Sequence, residues 1–391
     1  RIRSLETMWR TMGTMFEKLS LVNFTKDKSV QAHYNKLKSS DGSAPNPDTP
    51  CTQRMFTSLM SNILPSEIES SFLLSRASLQ YGIEGKGGPR IGEVADHGQG
   101  HGIAANNMRL IQGPDGDVLD IRIEDSKTGH SRYVDIAGTA GGLQMSDLAR
   151  RYWAEAGFEV ETGTIAGMRY SCPDFWVVRF SLKGFDESRL GHFLRVLQHS
   201  SSASARIHSR TTETEMVRRL KATGPKSSLK KFVNVAGGPR GSPQLSGLIV
   251  ELKAQGYGDL VHFVPGPLIL STSGKRITLM PLSSGSTFES TKSLLTKAAH
   301  DANAVRSDPD PQIDMTVEEL LQTARWGTHS FRHMADKLLV QYCKAKGIDL
   351  DLIKVVLGWE ENKRKKEMVN HYDQTSVYER VQRARITLGI V

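Results

Sequence analysis

The chain has 391 residues and a mass of 43.3 kDa, with 38% hydrophobic and 24% charged residues. This excludes a disordered or collagen-like chain and points to two compact units, or to one that carries a large insertion. Its 51 Lys and Arg exceed its 42 Asp and Glu by +9, and the pI of 9.4 favours a polyanionic partner.

The longest apolar stretch, around Leu260 to Leu270, is short and broken by Pro265 and Pro267, so no membrane span is expected. Cys51, Cys172 and Cys343 are odd in number and far apart, which argues against a disulfide framework or a clustered zinc site. A reducing compartment, the cytoplasm of a prokaryote or a nucleus, fits that usage. The chain opens on Arg1 rather than Met, as a trimmed fragment would, and no secretory pattern follows.

In chain order, Leu5, Met8, Trp9, Met12, Met15, Phe16 and Leu19 recur at helical spacing and predict an amphipathic helix. Residues 38–52 (KSSDGSAPNPDTPCT) read as a linker or exposed loop. Residues 54–81 predict helix in two pieces divided near Pro65. From Met108 to Ile136, short β-type runs separated by GPDGD and SKTGHS predict a three-stranded meander. A helix over 146–158, capped by Ser146 or Asp147, precedes a hairpin or two sheet strands, and 186–198 predicts another amphipathic helix.

The Ser-rich segment 200–231 carries Arg218, Arg219, Lys221, Lys226, Lys230 and Lys231, as a solvated face or a DNA-facing strip. Strand-like segments then lead to helices over 291–302, 334–346 and 349–357. A final helix opens with Ser376 and Glu379 at capping-box spacing.

The chemistry concentrates near the C-terminus. In GTHSFRHMADKLL, His329 and Arg332 stand one helical turn apart at a helix start, so an imidazole and a guanidinium can converge on one oxyanion. Upstream, GGPRIGEV places Arg90 at a Gly-rich turn, with Glu93 three residues on and able to hold the guanidinium. Lys127 sits in the DSKTGHS turn between two predicted strands. Trp359 ends LGW, and Tyr372 follows 13 residues later in NHYD, where a phenol near two arginines can serve as a nucleophile.

In that order, Arg90, Lys127, His329, Arg332, Trp359 and Tyr372 resemble the tyrosine recombinase family, the phage-integrase type of DNA strand transferase. GPRIGEV is similar to its first box, THSFRH to its second, and LGW with HYD to its last, with Trp359 in a place more often held by His. The resemblance covers roughly residues 75–138 and 268–391. About 200 residues separate Lys127 from His329, more than the family's catalytic domain needs, so an insertion is expected. The spacings from Arg332 to Trp359 and from Trp359 to Tyr372 are also a few residues longer than usual. The segment before Arg90 is short for the family's DNA-clamping domain.

The resemblance implies an α+β fold: a mainly helical catalytic domain with a small antiparallel sheet, interrupted by an α/β insertion. The expected parts are an N-terminal helical segment and linker (1–60), the first catalytic part (61–140), the insertion (141–264), and a second catalytic part with nucleophile and C-terminal helix (265–391). It further implies metal-independent and cofactor-free cleavage and rejoining of double-stranded DNA through a 3′-phosphotyrosine on Tyr372. Arg90 and Arg332 would bind the phosphate, His329 and Lys127 would move protons, Trp359 would donate to the phosphate or pack the site, and Glu93 and His333 would support them. A dimer or tetramer on DNA, joined through the C-terminal helix, is expected. A catalytically silent DNA-binding protein, a type IB topoisomerase and a telomere resolvase are the alternatives.

Overall fold

A computed structural model describes residues 9, 11–16, 19, 24–33, 51–64, 71–95, 102–114, 116–124, 132–140, 142–182, 187–199, 232–273, 276–304 and 329–347. The chain divides into two compact units, Arg1–Thr49 and Pro50–Val391. In the first, residues 11–16 and 28–33 are helical, and the Asp27 carboxylate starts the second helix by accepting from the N–H groups of Ser29 (2.8 Å) and Val30 (3.2 Å). The division falls within the 38–52 linker read from composition, and residue 60, the expected domain boundary, lies inside the first helix of the larger unit.

That helix, α1 (Gln53–Ile63), is capped by Thr52, whose Oγ1 accepts from Met55 N–H at 3.1 Å. Met55, Phe56, Leu59, Met60 and Ile63 form its buried stripe. Cys51 and Thr52 are themselves buried, so the end of the expected exposed linker belongs to the core. Helix α2 (Phe72–Gly87) follows, with Ser71 as cap. The two-helix reading of 54–81 therefore holds for α1 and α2, while Pro65, the expected point of division, lies outside the described residues. Helix α2 is buried almost all round in its second half, and Gly85 lets it lie directly against the Phe56 ring. It stops at Gly88, whose backbone is left-handed (φ 63°, ψ 23°). One short turn, α3 (Ile91–Val94), comes next.

Strands β1 (Met108–Gly113), β2 (Gly116–Ile123) and β3 (Arg132–Ala137) form the expected meander, with pairs running from Met108–Ile121 to Gly113–Gly116 and from Val118–Ala137 to Ile123–Arg132. After a two-residue pairing of β4 (Thr139–Ala140) with β5 (Leu143–Gln144), helix α4 (Met145–Ala156) starts one residue earlier than expected, with Gln144 at the cap position. Ser146 Oγ points to the Gly138 carbonyl, and Asp147 pairs with Arg150 in the first turn, so neither is the cap. Strands β6 (Glu159–Ile165) and β7 (Met168–Asp174) form a hairpin around Ala166 and Gly167, both at positive φ.

Strand β7 also pairs with β1, giving a five-stranded antiparallel sheet in the order β3-β2-β1-β7-β6. The sheet is larger than the small meander expected. Its inner face and helices α1, α2 and α4 share one core that includes Leu110, Ile121, Val134, Tyr152 and Trp153.

Strand β8 (Trp176–Ser181), helix α5 (Glu187–His199), strand β9 (Phe232–Gly238), helix α6 (Pro243–Leu252) and strand β10 (Val261–Pro265) follow. These three strands pair antiparallel in the order β10-β8-β9, and Val178, Phe180, Phe193, Leu197, Val233 and Leu245 belong to a second core. The segment expected as one α/β insertion, 141–264, thus splits. Its residues through Val177 pack in the main core, and those from Val178 build an antiparallel subdomain.

The chain returns through the hairpin of β11 (Leu270–Ser273) and β12 (Arg276–Pro281) to α7 (Ser284–Ala304), which begins seven residues before the expected helix, and then to α8 (Ser330–Lys346). The return is anchored by the buried Tyr152 hydroxyl, which donates to the Leu268 carbonyl at 2.7 Å and accepts from Leu270 N–H at 2.9 Å. Helices and antiparallel sheets together make the class α+β. No helix among the described residues is long and apolar enough to cross a membrane.

Candidate active site at the junction of α2 and α8

Helix α8 is docked by its first residues. Phe331 is fully buried, with its ring 5.9 Å from Phe56 in an edge contact and 5.3 Å from Tyr81. The Ser330 carbonyl accepts from Cys51 N–H at 3.1 Å, and Met334 is buried one turn on. An aromatic at 331 therefore fixes the rotation of α8 and turns Arg332 toward the end of α2. Its Nη1 donates to the Gly88 carbonyl at 2.9 Å, across 244 residues of sequence, and the residue is 5% exposed. The left-handed turn at Gly88 directs the chain into Pro89 and Arg90, so the H-x-x-R box and the Arg90 box meet at one turn.

Arg90 stands at the start of α3 and is organised by Glu93, which is 3% exposed. The carboxylate accepts from Arg90 N–H at 2.7 Å and from Arg90 Nη1 at 3.3 Å. The guanidinium keeps 24% of its side-chain surface in solvent. Glu93 thus holds the Arg90 fork as its spacing suggested. His329 is exposed immediately before α8. Its carbonyl accepts from His333 N–H at 2.9 Å, and the His329 and His333 rings lie 6.5 Å apart, both exposed.

Of the six residues of the resemblance, Arg90, His329 and Arg332 are described. Lys127, Trp359 and Tyr372 lie outside the described residues, as do the basic segment 200–231 and the expected C-terminal helix. Strands β2 and β3, whose connection contains Lys127, are in place up to their last pair, Ile123–Arg132.

Two features escaped sequence reasoning. Glu84 on α2, one turn before Gly88, is completely buried, and burial pushes its carboxyl up to about 8. Only Gln80 opposes this, donating to Oε1 at 2.9 Å. Asp120 and Asp135 face each other across β2 and β3, both buried, with Arg109 opposite Asp120 on β1. Burial, and then the neighbouring Asp135, push Asp120 up to about 7 against the pull of Arg109. The available signal was an Asp amid apolar, mostly β-branched residues in each facing run, VLDIRI and RYVDIA.

Arg332 bonds the carbonyl of Gly88, two residues before Arg90, and a guanidinium fork suits a phosphate-like oxyanion. No group of three or more His, Cys, Asp or Glu among the described residues could hold a metal ion. No protein-family model matches the sequence, and no curated protein is similar enough to it to count as a match.

Proposed function

We propose that the protein cleaves and rejoins strands of double-stranded DNA through a 3′-phosphotyrosine intermediate, as the tyrosine recombinases it resembles do. The observation that supports this reading most is the bond from Arg332 to the Gly88 carbonyl. It unites two short motifs that are each weak alone.

The chemistry requires a phosphodiester to be broken without losing its energy to water. Tyr372 Oη attacks the scissile phosphorus, forming the P–Oη bond as the bond to the 5′-oxygen breaks. Lys127 protonates that leaving oxygen, and His329 assists proton transfer at the nucleophile. Arg90 and Arg332 neutralise the charge that grows on the non-bridging oxygens, the interaction that usually contributes most. Glu93 holds the Arg90 fork in place, His333 flanks His329, and Trp359 donates its indole N–H or packs the site. Attack by the free 5′-hydroxyl on the phosphotyrosine then reverses the step.

Because the arginines supply the compensating charge, covalent capture of a nicked duplex is expected to persist in excess EDTA; a strict requirement for magnesium or manganese would contradict the mechanism. Strand exchange between two duplexes separates a recombinase from a topoisomerase.

The burial of Arg332 on a backbone carbonyl supports a second reading, a catalytically silent DNA-binding protein in which this arginine only ties the fold together. Such a protein binds DNA and yields no covalent adduct.

A further inference from the structure

Strand β6 ends the five-stranded sheet, and among the described residues its backbone bonds to β7 alone. Every residue of it is exposed except Gly163, which is half-buried. The two-residue turn at Ala166 and Gly167 makes Ile165–Met168 the first hydrogen-bonded pair of the hairpin, so by alternation Gly163, Glu161 and Glu159 bond inward to β7. The N–H and C=O groups of Val160, Thr162 and Thr164 therefore point away from the sheet. Pro173, which has no N–H to give, stands opposite Val160, where the alternation asks for none.

Such an edge is a template for another strand, and proteins commonly guard it with lysine, proline or a bulge. Strand β6 has none of the three. Its sequence, EVETGTI, is also self-complementary. In an antiparallel pair of two copies centred on Thr162, Thr162 faces its own counterpart and Val160 faces Thr164. These are the residues with outward backbone groups, so each pair exchanges N–H···O=C bonds while β-branched side chains meet on one face. On the other face Glu161 stands opposite Gly163 and Glu159 opposite Ile165, so no two carboxylates are directly opposed. A Cβ on Gly163 would lie 2.7 Å from the Tyr170 hydroxyl, which places that phenol over the glycine. There it meets the arriving Glu161 of the second copy and can donate to its carboxylate.

We infer that β6 is a dimerisation edge, pairing antiparallel with β6 of a second copy of this chain about a two-fold axis at Thr162. The two five-stranded sheets become one continuous sheet. The pairing uses neither the α2–α8 junction nor the C-terminal helix.

The test is sedimentation of the full chain over about 1 to 300 µM, without DNA, so its outcome is independent of the strand-transfer reading. A reversible dimer is expected within that range, as befits a small interface. Thr162→Lys changes an exposed side chain and sets two like charges face to face on the axis, and it is expected to raise the dimer Kd about tenfold or more. A chain that is monomeric throughout, or a dimer that this substitution leaves intact, would overturn the inference. Cysteine crosslinking checks the register, with the unaltered chain as background for its native cysteines. Thr162→Cys places two thiols across a hydrogen-bonded pair with Cα atoms about 5.5 Å apart, within disulfide reach, whereas Val160→Cys faces Thr164 and not itself. A covalent dimer is expected under mild oxidation from the first variant and not the second. Equal crosslinking from both, or none from Thr162→Cys, would overturn it.

Discussion

Arg332 replaced by Ala leaves the buried Gly88 carbonyl without its donor and opens a gap at the start of α8. Loss of about 2 kcal/mol of stability is expected from chemical denaturation, and Lys, a point charge without the planar fork, should restore only part of it. The buried carboxyls give a pH dependence of definite sign. Asp120 is raised to about 7 and Glu84 to about 8, so each binds its proton more tightly folded than unfolded. Their contribution is therefore most favourable below about pH 4 and is lost as pH rises toward 7 and 8. Asp120→Asn should raise the melting temperature at pH 8 by more than at pH 5; an equal change at both would show that this aspartate does not titrate between them. The Arg90–Glu93 contact was legible because it needs only three residues of local chain. The direction of Arg332 was not, since it depends on how Phe331 seats between Phe56 and Tyr81, residues far away in sequence. Asp120 reads as outward by strand alternation. It is buried on that outer face together with Ile111, Ala137 and Cys172.

Among the elements, those built from local signals were readable: the β1–β3 meander from its turns, α1 and α2 from periodicity with a break, and α5 from its stripe. The hairpin that supplies the fourth and fifth strands was readable as well, but its place beside β1 was not, since the pairing of Leu110 with Ser171 links distant segments and leaves no local mark. Helix α4 was misread at its cap because Ser146, a good capping residue, bonds back to Gly138 instead. Helix α2 carries a testable consequence of its close packing. Gly85→Ala would improve helix propensity in isolation, yet the new methyl would collide with the Phe56 ring. We expect a net loss of about 1 to 3 kcal/mol in urea denaturation, and a stabilised variant would show that α1 and α2 do not meet there.

At the scale of the molecule, charge and the resemblance pointed to DNA, and length pointed to more than a minimal catalytic domain. The sequence could not show that residues 142–177 would fold into the main core while the next strands built their own, because no local feature of an apolar residue marks which core it joins. Assembly can be tested through the apolar end of the chain. Removing Leu388 to Val391 should weaken cooperative binding to a two-site duplex while half-site binding persists, since apolar contacts are lost and phosphate contacts are not. Joint loss of half-site binding and thermal stability would place these residues in their own core. A Tyr372 nucleophile served by Arg90 and Arg332 would leave a covalent adduct whose position on the chain can be mapped. After incubation with a nicked duplex in EDTA and proteolysis, mass spectrometry should find the nucleotide on Tyr372 and nowhere else, with no adduct from Tyr372→Phe. An adduct on Tyr378, the next tyrosine six residues on, or DNA binding with no adduct at all, would contradict a Tyr372 nucleophile.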